Sequence, residues 1–131
     1  MIEVRNVYKS FNGKEVLKDI SFTFEAGKTN LIIGQSGSGK TVLMKSVIGI
    51  HQVDKGQILY NGRDFTKMSN KETALLRQEI GMLFQGSALF DSMTVEENVR
   101  FPLEMFSNKT RKEWEKRVAF CLDRVGLSHA A

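Results

Sequence analysis

Lys40 and Thr41 close the octapeptide GQSGSGKT, and Gly34, Gly37 and Gly39 stand directly upstream of them. The apolar run TNLII leads into this stretch and VLMKSVIGI leads out of it. Glycine is costly to order, so three of them in six residues call for a chemical reason. The spacing satisfies G-x-x-x-x-G-K-[ST] in full, with an expected strand before it and an expected helix after it. Backbone without a Cβ can wind close around phosphate oxygens, and successive N–H groups then bind the anion. The positive end of the following helix adds to that attraction. Lys40 supplies a mobile charge for the β- and γ-phosphates, and the Thr41 hydroxyl suits a Mg²⁺ ion that bridges phosphate oxygens. The candidate nucleotide contacts are therefore Gly34, Ser36, Gly37, Ser38, Gly39, Lys40, Thr41 and Val42, with Thr41 also a metal ligand. A plain flexible turn is the competing reading. A chance match in a chain this long has odds of roughly one in two hundred, which favours the phosphate loop.

The elements that must hold this loop are legible as periodicities. IEVRNVYKSF reads as a strand carrying Val4, Val7 and Phe11, and Asn12-Gly13 signals a hairpin. In LKDISFTFEAG, Ile20, Phe22 and Phe24 share one face. Ala26-Gly27 then turns the chain into residues 29–33, expected as a strand buried on both faces. After the glycines, Val42, Leu43, Ser46, Val47 and Ile50 fall at helical spacing. A turn at VDKG, a strand GQILY and a second turn at Asn61-Gly62 follow. Three capping boxes, Ser69/Glu72, Thr94/Glu97 and Thr110/Glu113, predict three helix starts, with an apolar strand IGMLF between the first two. The last helix is expected to bury Trp114, Val118, Cys121 or Leu122, and Val125, and to stop at Gly126. An antiparallel opening followed by strand-loop-helix units defines an α/β class.

Composition narrows the function classes. The chain has 131 residues, 41% hydrophobic and 26% charged, within the range of a soluble globular domain. No apolar run approaches the ~18 residues of a membrane span, and the N-terminus lacks signal-peptide architecture. The single cysteine, Cys121, excludes an intramolecular disulfide framework and suits a reducing cytosol. The net charge of +4 is concentrated in NKTRKEWEKR, where Glu113 and Glu115 interrupt the basic run. At helical spacing this reads as a solvated face, so no nucleic-acid partner is expected. His51 and His129 read as surface histidines.

The phosphate loop alone does not choose among kinases, GTPases, motors and transporters. Over all 131 residues the chain resembles the N-terminal part of an ABC-type ATPase. The lead-in IEVRNVYKSFNGKEVLKDISFTFEAGKTNLIIGQSGSGKT, the stretch VDKGQILYNGRDF and the segment IGMLFQGSALFDSMTVEENVRFPL carry that resemblance. It implies a P-loop NTPase fold with an antiparallel β lead-in and an incomplete RecA-like core, residues 1–131 being the N-terminal part of one ATP-binding domain. It further implies that Phe11 stacks on adenine, with Tyr8 as the rival aromatic. Gln85 would complete the Mg²⁺ shell and sense the γ-phosphate, so the implied cofactors are ATP and Mg²⁺. The implied partners are a second ATP-binding subunit, as a homodimer, and transmembrane permease subunits facing Gln85 to Pro102. Leu89, Phe90 and Met93 would either make that contact or form a satellite cluster under the loop. QGSALFDSMTVEENVRFPL is similar to the Mla-type ATPases, which implies phospholipid cargo, lipid-binding partner proteins and a cytoplasmic, peripheral position on the inner face of the membrane.

Other family motifs are not found in these 131 residues: the L-S-G-G signature, an aspartate-glutamate pair closing an apolar strand, and the switch histidine. In AFCLDR, Arg124 follows Asp123 where a general-base glutamate would stand. The expectation is that residues 1–131 bind ATP without hydrolysing it by themselves. Two other readings stand beside it, a non-hydrolysing nucleotide-binding module and another P-loop kinase or NTPase. The absence of N-K-x-D argues against a GTPase. In the family the strands bearing the acidic pair and the histidine lie between runs 29–33 and 80–84, so unpaired edges are expected at both runs.

Overall fold

A computed structural model describes residues 1–86 and 88–130. The chain divides into two compact units, Met1–Met82 and Leu83–Ala131, each described here by itself.

The first unit is built on one antiparallel sheet. Its strands are β1 (Ile2–Phe11), β2 (Lys14–Phe24), β3 (Lys55–Tyr60) and β4 (Arg63–Asp64), in the order β2-β1-β3-β4. The β1–β2 hairpin turns on Asn12 and Gly13, whose φ values of 48° and 78° are the left-handed pair that a tight hairpin demands. Its register runs from Phe11↔Lys14 to Ile2↔Phe24, and β1 pairs β3 from Ile2↔Tyr60 to Tyr8↔Lys55. Register shifts along β1 bend this sheet. Asn6 and Asp19 both have φ near 48°, and the Asn6 amide donates to the Asp19 carboxylate at 2.9 Å. Opposite them Gly56 has φ 95°, and a Cβ there would stand 2.3 Å from the Asn6 carbonyl oxygen. Only glycine permits that approach of β3 to β1.

Helix α1 (Lys40–Val47) lays Leu43, Ser46 and Val47 on the sheet. They join Val4, Val7, Leu17, Ile58, Tyr60, Phe65 and Leu76 in the core. Buried Ser46 satisfies its hydroxyl by donating to the Val42 carbonyl at 2.8 Å, and the Tyr60 hydroxyl donates to the Val47 carbonyl. The helix closes in a paired motif, with Gly49 N–H on Ser46 O at 3.0 Å and Ile50 N–H on Lys45 O at 2.8 Å. The chain leaves the helix here, so Ile50 is exposed rather than continuing the buried stripe. Helix α2 (Asn70–Arg77) starts from the Ser69/Glu72 capping box, buries Leu76, and sends the Arg77 guanidinium onto the Ile48 and Gly49 carbonyls.

Two expected strands are not formed. Residues 29–33 and 80–84 belong to no sheet, and Leu31, Ile33 and Leu83 are 83%, 81% and 96% exposed. Among the described residues no strand lies beside either run, so their backbone groups lack the ladder that would make them β. Only Ile32 and Ile80 of these runs reach the core margin.

In the second unit, α3 (Val95–Phe106) and α4 (Arg111–Arg124) pack together. Thr94 and Glu97 satisfy each other's N–H groups at the start of α3, at 2.7 and 3.2 Å. The Glu113 carboxylate likewise accepts from the Thr110 N–H at 2.7 Å and from its hydroxyl at 2.8 Å. Helix α4 buries Val118 and Leu122, with Trp114 and Cys121 half-buried. Val125, expected inside, is 67% exposed. It caps the helix, because Gly126 (φ 72°) reverses the chain there through Gly126 N–H on Asp123 O and Leu127 N–H on Leu122 O.

Candidate nucleotide site

The glycine loop has the conformations its composition implies. Gly37 (φ 76°) and Gly39 (φ 94°) are both left-handed, and the Ser38 N–H closes a turn on Gln35 O at 3.2 Å. A Cβ on Gly34 would stand 2.7 Å from the Ser38 hydroxyl. One on Gly39 would stand 3.1 Å from Val16 Cγ1 and 3.2 Å from the Val16 carbonyl oxygen. Val16 is the extra residue where the β1–β2 register slips between Ser10↔Glu15 and Lys9↔Leu17. The bulge thus backs the loop against β2, a support that no local sequence signal announces.

Gly39 is the N-cap of α1, and its carbonyl takes the first helical bond, from Leu43 N–H at 2.9 Å. No side chain caps this helix, and its first turn holds no acidic residue. The N–H groups of Lys40, Thr41 and Val42 are therefore left to an external acceptor, which an anion at a helix N-terminus satisfies. The Lys40 ammonium lies back across the loop, donating to Gly34 O at 2.6 Å and Gln35 O at 2.7 Å, with Ser38 Oγ at 3.5 Å. An ammonium has three donors, and the one directed at Ser38 Oγ is the longest of the three contacts and the weakest hold. Thr41 is exposed on the first turn beside it. Among the described residues no group of three or more His, Cys, Asp or Glu side chains gathers to hold a metal unaided. A hard cation such as Mg²⁺ fits this site only as the partner of bound phosphates, with the Thr41 hydroxyl as its protein ligand.

Phe11 ends β1 beside the hairpin turn, with 37% of its surface exposed. The Lys9 ammonium lies 5.1 Å from its ring centroid, and His51 meets it edge-on at 5.2 Å and 72°. His51 is thus half-buried against an aromatic ring rather than a free surface histidine, while His129 is exposed. Asp54 ties the same corner together: it accepts from Ser10 N–H at 2.7 Å and from Lys9 Nζ at 3.2 Å. Those contacts, the backbone N–H first, hold its carboxyl below the usual range. Tyr8, the rival aromatic, carries the Lys55 ammonium at 5.8 Å. A separate cavity of about 420 Å³ flanks the C-terminal end of α1, among Gly49, His51, Phe65 and Arg77.

Gln85 belongs to the second unit, exposed in a bend. In the segment that follows, Ser87 lies outside the described residues. Leu89 and Phe90 are exposed at 68% and 45%, whereas Met93 is half-buried. Phe90 packs on Phe101 at 4.8 Å, and Asn98 clamps the turn by exchanging bonds with the Phe90 N–H and carbonyl. No helix among the described residues is long and apolar enough to cross a membrane.

An uncapped helix behind a left-handed glycine loop, on an antiparallel sheet, is the arrangement found in P-loop nucleotide domains. Residues 17–131 match the family described as ABC transporter, and the chain belongs to that family. It is 34% identical over 138 residues to the phosphonates import ATP-binding protein PhnC of Fusobacterium nucleatum, covering all of this chain and 56% of that protein. It is 38% identical over 128 residues to the methionine import ATP-binding protein MetN of Clostridioides difficile, covering 98% of this chain and 40% of that one. The dimeric structure of MJ0796, a bacterial ABC transporter cassette, superposes with a TM-score of 0.81 at 27% identity, over 94% of this chain and 56% of that one. The chain spans about half the length of the curated relatives it matches. Its fold is the ABC-type nucleotide-binding architecture, an antiparallel β lead-in followed by helices.

Proposed function

We propose that residues 1–131 form the N-terminal part of one ATP-binding domain, in the subunit of an ABC transporter that uses Mg²⁺-ATP to drive transport. One observation carries the binding step: α1 starts on a left-handed glycine with no side-chain cap, and Lys40 is held across the loop before it. Gly34, Ser36, Gly37, Ser38, Gly39, Lys40, Thr41 and Val42 take the phosphates, and Thr41 holds Mg²⁺ with them. Phe11 takes the adenine, and the family resemblance assigns Gln85 to the metal shell and the γ-phosphate. Bound Mg²⁺ neutralises phosphate charge and fixes the polyphosphate's conformation.

Hydrolysis belongs to the proposal for the whole protein, not for these residues alone. The reading includes a second copy as partner, supported by the dimer of MJ0796. It places permease subunits against Gln85 to Pro102, where Leu89 and Phe90 are exposed. The subunit would then sit on the cytoplasmic face of the membrane. Phospholipid as cargo, with lipid-binding partner proteins, rests on the segment from Gln85 to Leu103 alone. PhnC and MetN are named for phosphonates and methionine, so family membership does not carry the cargo.

Titration with a fluorescent ATP analogue, with and without Mg²⁺, tests the binding step. Lys40→Ala should weaken binding by at least tenfold, since a hydrogen bond to a charged group contributes ~1.5–3 kcal/mol. Equal affinity in wild type and variant overturns the site.

A further inference from the structure

Phe11 poses a problem of its own. A phenylalanine at a hairpin end with 37% of its surface exposed is only partly held by packing. A stacking platform needs a fixed plane, because a base stacks on a face and gains nothing from a ring that turns away. Two contacts supply the restraint: the Lys9 ammonium 5.1 Å from the ring centroid, and the imidazole of His51 at 5.2 Å and 72°. Both restraints are themselves anchored. Lys9 is paired with Asp54 at 3.2 Å, and Asp54 donates its own N–H to Tyr8 O at 2.9 Å. The His51 backbone N–H donates to the carbonyl of Lys45, at 3.2 Å, in the last turn of α1. The residue that touches Phe11 lies just beyond the end of α1 and is bonded through its backbone to that helix's last turn.

We propose that His51 is a positioning residue for the base: with Lys9 it holds the Phe11 ring, and through Lys45 it ties that ring to the C-terminal turn of the phosphate-binding helix. The inference rests on the reading of Phe11 as the adenine platform. His51 touches neither phosphate nor metal in this assignment, so its removal should discriminate between the base and the polyphosphate.

The experiment compares ATP with inorganic triphosphate, both with Mg²⁺, binding to the full chain as wild type, His51→Ala and His51→Phe. The expected result for His51→Ala is a roughly two- to tenfold loss for ATP, the range of one aromatic pair, with triphosphate affinity unchanged. His51→Phe, which restores an aromatic edge, should recover ATP affinity. Unchanged triphosphate affinity also reports that the loop remains folded in each variant. Three results overturn the proposal: equal losses for both ligands, no loss for either, or no recovery in His51→Phe. Failure of the wild type to bind either ligand would instead overturn the nucleotide site itself.

Discussion

Helix α1 begins unlike α2, α3 and α4. Each of the other three starts on a Ser or Thr three residues before a Glu, whose carboxylate accepts the N-cap N–H. Helix α1 starts on Gly39, has no acid in its first turn, and carries Val42 where the others carry glutamate. Every helix exposes orphan donors at its start and must find acceptors for them. Three helices here answer with their own side chains. The fourth has no such side chain, and the same start carries the glycines and Lys40. A missing cap is thus as informative as a present one, because it marks donors that no side chain of the helix satisfies.

That contrast can be broken by making α1 resemble its neighbours. Val42→Glu places a carboxylate at the position of Glu72, Glu97 and Glu113, where it competes for the same donors and repels phosphate. ATP affinity should fall by about thirtyfold, the upper end of a charge effect at a helix terminus. Val42→Gln matches the glutamate in size and separates charge from packing. If the two variants bind ATP equally, the first-turn donors do not face the anion.

The converse change removes a cap from a helix that has one. Thr94→Ala should destabilise the start of α3 by ~1 kcal/mol and leave ATP affinity unchanged. Hydrogen exchange at the first turn of α3, read beside the nucleotide titration, separates the two effects. A parallel loss of ATP affinity would tie that cap to the site.

The mildest test is acid. Hydrogen bonds from the N-cap N–H groups, reinforced by the hydroxyls of Ser69, Thr94 and Thr110, hold Glu72, Glu97 and Glu113 below 4.5. A carboxyl with a depressed folded value stabilises the fold above its unfolded value and loses that contribution as pH falls through the folded one. The thermal midpoint should therefore drop as pH is lowered below about 4.5. Glu97→Gln should flatten part of that limb, and an unchanged limb would mean the cap bonds contribute nothing measurable.

What the sequence made legible follows from how far each signal reaches. The Asn12-Gly13 turn, the three Glu-bearing helix starts, Gly126 and the phosphate loop are each decided within a few residues, and each appears where the pattern places it. Runs 29–33 and 80–84 are as apolar as GQILY, yet only GQILY forms a strand. GQILY has β1 alongside it to take its backbone groups, and the other two runs have no such neighbour among the described residues. Apolar composition states a capacity for β structure; pairing decides it. Val125 missed the core for a local reason, since Gly126 ends its helix one residue too early. At the site, Lys40 and its loop were readable, whereas the bulge at Val16 and the contact of His51 with Phe11 depend on register and on residues 40 apart in sequence.

The tether of Lys40 has a kinetic consequence. A free lysine samples four rotatable bonds, and freezing them costs up to about 2 kcal/mol of entropy. Here Gly34 O and Gln35 O hold the ammonium before any anion arrives, so most of that ordering is complete when the loop folds. Under the proposed function, an incoming polyphosphate would meet a charge already in place and have no search to wait for. Encounter should then be limited by diffusion and long-range attraction, which raises the association rate at low salt and lets added salt slow it.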